Sequence, residues 1–152
     1  MKYLSSPEPH TAYIGVSNDN QEVFFDLFKG AMESIGVQYC RMLDSDFSTQ
    51  DKVFIEKADL ILLAGGDVAK GWDVIQVKRL KDVVIKRYSE GAVLIGVSEG
   101  AIQLGLYAAD ANIGGEYRIF DTFQVIPYII GVHEENKEWS DIKTFVETRI
   151  LF

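Results

Sequence analysis

Residues 96–100 read Gly-Val-Ser-Glu-Gly and place Ser98 between a short apolar run and a stretch with helical spacing. A serine at this point is typical of a nucleophile elbow, because glycines on both sides let its hydroxyl project from a strained turn. The helix that follows also presents unpaired N–H groups to a developing negative charge. We therefore predict that Ser98 is a nucleophile in acyl transfer. The alternative is an ordinary glycine-containing turn.

A second glycine segment follows the preceding apolar run of the chain. Residues 64–67 read Ala-Gly-Gly-Asp, so Gly65 and Gly66 leave backbone N–H groups accessible where a strand ends. In parallel sheets ligands bind at this carboxyl edge. The two glycines could therefore complete an oxyanion hole for Ser98. The alternative is that they only turn the chain into the next helix.

The chain has two histidines, His10 and His133, and a serine hydrolase needs a general base that titrates near neutrality. His10 lies in a proline-containing leader. His133 follows a β-rich run, and a residue that leaves a strand there can reach toward Ser98. We predict that His133 is the base.

Regular elements must position these side chains. Short β-rich runs alternate with longer amphipathic ones along the sequence, and this pattern predicts βα units around a mainly parallel sheet. The predicted strands span residues 11–17, 37–43, 59–64 and 92–97, and a β-rich stretch follows at 117–132. The predicted helices span residues 21–35, 72–88, 101–109 and 137–150, with a short one ending near residue 57. The run at 92–97 is the most apolar, so we expect it mid-sheet, buried on both faces.

Composition limits the classes of function. The chain has 152 residues and a net charge of −8, which disfavours nucleic acid and anionic membranes as partners. No apolar stretch approaches the ~20 residues of a bilayer span, and we expect a soluble, cytoplasmic protein. Cys40 is the single cysteine, so an internal disulfide is impossible. With only two histidines as well, we expect no metal site and no cofactor.

The sequence combines the Gly-x-Ser-x-Gly motif, the Ala-Gly-Gly-Asp segment, the run Ile-Pro-Tyr-Ile-Ile-Gly-Val before His133, and the opening strand and helix. Taken together, these features resemble the S51 serine peptidases. This family includes aspartyl dipeptidase (peptidase E) and cyanophycinase, in the class I glutamine amidotransferase-like superfamily. The resemblance covers residues 13–133. It implies one flavodoxin-like, three-layer α/β/α domain over residues 1–152, and acyl-enzyme hydrolysis of small peptides or amides.

The resemblance also implies roles for individual residues. Ser98 would be the nucleophile, His133 the base, and N–H groups near Gly66 and Glu99 the donors to the oxyanion. The acid that orients the base would lie between serine and histidine; we favour Glu116 by spacing, with Asp110 and Asp121 as alternatives. Arg149, in a Glu-Thr-Arg segment, is loosely similar to the arginine that binds the acidic substrate side chain, and is otherwise an exposed residue near a helix end.

Two departures from the family pattern keep other hypotheses open. Glu99 stands where the family has alanine, and its carboxylate would lower activity, select a basic substrate group or lie exposed. The chain also ends 19 residues after His133, short for the family, so a sheet edge or face could pair with a second copy in a homodimer.

The main alternative function is a catalytically silent amidotransferase-like domain that binds a small molecule or another subunit. A minimal esterase of α/β-hydrolase type is a third hypothesis, for which 152 residues leave little room.

Overall fold

The computed structural model describes residues 6–111 and 117–150. Its centre is a sheet of four parallel strands in the order β2-β1-β3-β4, where β1 is His10–Ile14, β2 is Tyr39–Leu43, β3 is Leu60–Leu63 and β4 is Val93–Gly96. In the β1–β3 pair Thr11 lies opposite Leu60, and in the β3–β4 pair Leu63 lies opposite Gly96. The carboxyl ends of β3 and β4 therefore lie side by side, with the two glycine segments directly beyond them.

The described ranges contain six α-helices. They are α1 (Glu22–Ser34), α2 (Thr49–Ile55), α3 (Val68–Val77), α4 (Leu80–Ser89), α5 (Glu99–Leu104) and α6 (Ser140–Ile150). Single-turn 3-10 helices span Val16–Asn18 and Glu135–Lys137, and β5 (Tyr107–Ala111) pairs with β6 (Tyr117–Asp121) in a separate antiparallel hairpin. None of the helices in the described ranges is long and apolar enough to cross a membrane.

Alternate residues of β3 enter two different hydrophobic clusters. Ile61 and Leu63 pack with side chains of α2, α3 and α4, whereas Leu60 and Leu62 pack against Phe28 of α1. Because side chains alternate across a strand, the two clusters lie on opposite faces of the sheet. This confirms the predicted α/β class with a mainly parallel sheet between helical layers.

Three element predictions were wrong. The helix predicted over residues 72–88 is two helices, α3 and α4, because Arg79 between them adopts a left-handed backbone with φ 56°. The helix predicted to reach residue 109 ends at Leu104, where Gly105 is extended, and the chain continues as β5. Of the β-rich stretch at 117–132, only β6 is a strand.

The placement of residues 92–97 in the sheet was also wrong. β4 is the last strand in the four-stranded order, and all four of its residues are only half-buried. An apolar run shows that side chains avoid water, but it does not show how many strands flank them. The edge position leaves the carboxyl end of β4, which carries Ser98, more accessible than a central strand would.

Candidate active site

Ser98 occupies the turn between β4 and α5, with φ 53° and ψ −121°. A non-glycine residue with positive φ has a strained backbone, and such strain persists where the surrounding structure fixes the conformation. The flanking glycines are required by close approach: a Cβ on Gly96 would lie 2.5 Å from Cα of Ala101, and one on Gly100 would lie 2.1 Å from the carbonyl oxygen of Leu63. Ser98 therefore lies on a strained strand-to-helix turn that glycine must flank on both sides.

The segment that carries His133 is attached to the end of α5. The N–H groups of Phe123 and Gln124 donate to the carbonyls of Gln103 and Gly105, at 2.9 Å each. The helix that begins beside Ser98 therefore also anchors the loop that leads to the histidine.

The predicted nucleophile and base lie in contact. Nε2 of His133 is 2.5 Å from Oγ of Ser98, although 35 residues separate them. His133 also has a left-handed backbone, with φ 60°. The pairing expected from the motif and from the scarcity of histidines is therefore present in the structure.

Glu99 brings its carboxylate to the same serine. Its Oε2 accepts hydrogen bonds from the N–H of Gly66 at 2.9 Å and from the Ser98 hydroxyl at 2.5 Å. The N–H of Glu99 also donates to this carboxylate. The two N–H groups expected near an oxyanion are thus both engaged by a carboxylate of the chain itself.

The protonation of Glu99 decides where the proton of Ser98 lies. Burial alone would raise the pKa of Glu99, but hydrogen bonds from Ser98, Gly66 and its own N–H, with His133 nearby, bring that pKa below its ordinary value. An ionised carboxylate can only accept, so the single hydroxyl proton of Ser98 points to Glu99. The short contact between Oγ and Nε2 then needs a proton from His133. In this arrangement His133 cannot also accept the serine proton.

The acid that would orient His133 is not identified among the described residues. Asp110 lies opposite Arg118 in the β5–β6 hairpin, Asp121 ends β6, and neither is hydrogen-bonded to His133. Glu116, the favoured residue, lies outside the described residues. Its role therefore stays a prediction.

Gly65 lies against Ser98, whereas Gly66 is linked to that serine through the carboxylate of Glu99. A Cβ on Gly65 would lie 2.9 Å from Cβ of Ser98, and Gly66 has φ 134°, a conformation that favours glycine. Arg149 belongs to α6, and its side chain is outside the described part of the structure. Its predicted contact with substrate stays untested.

A cleft of about 670 Å³ adjoins the serine, and the sequence analysis did not anticipate it. Its lining includes Ser98, Glu99 and the glycine segment at the sheet edge, and Phe24 and Leu27 of α1. The signal was the apolar face of α1, which is wider than one layer of packing needs: Phe28 is the one buried residue of that helix.

Among the described residues, no group of three or more His, Cys, Asp or Glu side chains is placed to bind a metal ion. Cys40 lies in β2 and is half-buried, and its Sγ accepts a hydrogen bond from the Thr11 hydroxyl at 3.0 Å. The candidate site is therefore built from Ser98, His133, Glu99 and the glycine segment.

Comparison with known proteins identifies the fold and the family of the chain. A crystal structure of a candidate peptidase E protein from Listeria monocytogenes EGD-e superposes with a TM-score of 0.71 at 19% identity, over 97% of this chain and 78% of that one. A peptidase from an acI-B1 Actinobacterium superposes with a TM-score of 0.66 at 17% identity, over 88% of this chain and 58% of that one.

These two likenesses support the flavodoxin-like, amidotransferase-like fold. No curated protein matches the chain. The model of peptidase family S51 matches residues 3–148, which confirms the resemblance found in the sequence. The chain belongs to peptidase family S51.

Proposed function

We propose that the protein is a serine hydrolase that cleaves small peptides or amides, with Ser98 as nucleophile and His133 as general base and then acid. The observation that carries this proposal is the 2.5 Å contact between Oγ and Nε2 at a strained elbow. Membership of a peptidase family supports the same reaction class.

In this reaction Oγ of Ser98 attacks the substrate carbonyl carbon while His133 takes the hydroxyl proton. The leaving amine departs with that proton, and water activated by His133 then releases the acyl group from Ser98. The N–H groups of Gly66 and Glu99 would hold the oxyanion in both steps. The Glu99 carboxylate must first leave these donors, since it holds both of them and the serine proton.

Glu99 also favours a second candidate function, a catalytically silent domain. If the carboxylate never leaves the Gly66 N–H, the site holds its own anion in place of a reaction intermediate. The domain would then bind a small molecule or another subunit.

Labelling with a fluorophosphonate tests the proposal, because this reagent reacts only with an activated serine. We expect stoichiometric labelling that Ser98→Ala abolishes and His133→Gln reduces at least about 100-fold, the lower range for loss of a general base. Ser89→Ala and His10→Gln are the matched controls, since Ser89 is exposed on α4 and His10 lies in β1. Both controls should label like the native protein.

The glutamate variant separates the two candidate functions. Labelling of neither the folded native protein nor Glu99→Ala would contradict the hydrolase and favour the silent domain. Labelling of Glu99→Ala alone would show a competent nucleophile that its neighbour occludes.

A further inference from the structure

The cleft beside Ser98 runs along α1, and the proposed reaction does not account for it. In a parallel βα unit the helix starts at the carboxyl edge of the sheet and runs back along its face. Gln21, just before α1, and Met32, near its end, both line the cleft. These positions are 11 residues apart, about 16 Å along the helix axis.

The walls of this cleft are apolar. Phe24 and Leu27 line it with exposed fractions of 47% and 67%, and Leu62 and Tyr13 of the sheet face them. Apolar side chains that are exposed together in a concave cleft are typical of a ligand-binding groove. The volume of about 670 Å³ lies within the ~300–1,000 Å³ range of small-molecule sites.

Charge in the cleft is restricted to one position. Of the described residues that line it, Glu99 is the charged one, and it is an acid. An anionic ligand would meet repulsion there and would find no cation among those residues. A cation would find a partner only at Glu99, beside the serine, so the complementary ligand is neutral along α1.

The cleft is continuous with the nucleophile, since Ser98, Gly65 and Gly66 all belong to its lining. We propose that it binds the acyl part of the substrate and selects a neutral, apolar acyl group. This assignment rests on the proposed function of Ser98. It differs from recognition of an acidic side chain, for which the described lining offers no partner.

A chain-length series of 4-nitrophenyl esters tests the selectivity. Burial of each methylene strengthens binding roughly fourfold, or about 0.8 kcal/mol, so kcat/KM should rise at least about tenfold from acetate to octanoate. Leu27→Gln should lower kcat/KM for octanoate several times more than for acetate. Val77→Gln is the matched control, because Val77 is 78% exposed on α3, remote from the cleft.

Binding measured without turnover keeps this inference separate from the proposed function. Titration of Ser98→Ala with octanamide in a calorimeter should show binding that Leu27→Gln weakens about fivefold and Val77→Gln leaves unchanged. Succinamate, an anionic amide, should show no binding.

The outcomes separate the two proposals. Octanamide binding without hydrolysis by the native protein would overturn the proposed function and leave an apolar ligand site. Hydrolysis with equal kcat/KM across the series would overturn the acyl assignment. A native dimer that Leu27→Gln dissociates, with no octanamide binding, would assign the cleft to a second copy of the chain.

Discussion

At the scale of the residue, the proposed chemistry depends on where the hydroxyl proton of Ser98 lies. Oγ of Ser98 lies 2.5 Å from both Oε2 of Glu99 and Nε2 of His133. While Glu99 accepts that proton, His133 cannot act as a base, and the Gly66 N–H is engaged by the same carboxylate. In the proposed reaction Glu99 would therefore oppose hydrolysis in two ways, through the nucleophile and through the oxyanion donors.

Replacement of Glu99 by alanine should increase hydrolysis. One oxyanion donor contributes about 10²–10³ in kcat, so release of the Gly66 N–H should raise kcat/KM for a small ester by up to roughly 10²–10³. Glu99→Gln should give a smaller rise, because its amide oxygen can still accept from Gly66. Steady-state kinetics of both variants would check this. A fall in kcat/KM in both would mean that Glu99 assists the reaction.

The sequence predicts that Ser98 and His133 lie together, but it does not predict that Glu99 binds the same serine. The Gly-x-Ser-x-Gly motif encodes a local backbone geometry, which is why Ser98 could be located from spacing alone. His133 followed from the scarcity of histidines. The direction in which Glu99 points depends on the Gly66 loop, 33 residues earlier in the chain, and no local pattern encodes such a contact.

At the scale of the element, periodicity locates strands and helices but not their neighbours. β3 was predicted within one residue at each end, because its side chains are buried on both faces. β4 was placed mid-sheet for the same apolar pattern, yet it is at the edge of the four described strands. Strand order is set by contacts between distant segments, which hydrophobic patterning does not report.

The start of α2 carries a buried ion pair that should make stability depend on pH. Asp51 forms a capping box with Ser48 and accepts from Nε of Arg41 at 2.7 Å. Burial alone would raise the pKa of Asp51, but the hydrogen bonds from Arg41 and Ser48 hold it below its ordinary value of 3.8. Because the pKa of Asp51 is lower in the folded state, its ionisation stabilises the fold above the ordinary pKa of 3.8. This contribution is lost as pH falls through the folded-state pKa.

Asp51→Asn should therefore lower the free energy of unfolding at neutral pH by about 2 kcal/mol, the range for hydrogen bonds to a charged group. The difference from the native protein should shrink as pH falls below 3.8. Urea denaturation between pH 3 and pH 7 would measure it. A difference that stays constant over this range would mean that the ionised Asp51 contributes nothing.

At the scale of the whole molecule, the two faces of the sheet are covered unequally. One face packs against α2, α3 and α4, whereas the other packs against α1, whose apolar side chains border an open cleft. Amphipathic spacing identifies an apolar helix face, but it cannot distinguish a face in a packed core from one that lines a ligand cleft.

The unequal covering predicts that neighbouring residues of β3 differ in their contribution to stability. Ile61 is fully inaccessible and packs on the side of α2–α4, while Leu62 points to the opposite face and lines the cleft. Ile61→Ala should cost about 2–5 kcal/mol of unfolding free energy, since it leaves a cavity in a closed core.

Leu62→Ala should cost less than half of the Ile61→Ala value, because water can enter the space at the cleft and fewer packed contacts are lost. Urea denaturation of both variants measures the two costs. Octanamide binding is an independent measurement: Leu62→Ala should weaken this binding, and Ile61→Ala should not. Equal costs, with binding unchanged in both, would mean that the α1 face is packed as closely as the other and that the cleft is closed in solution.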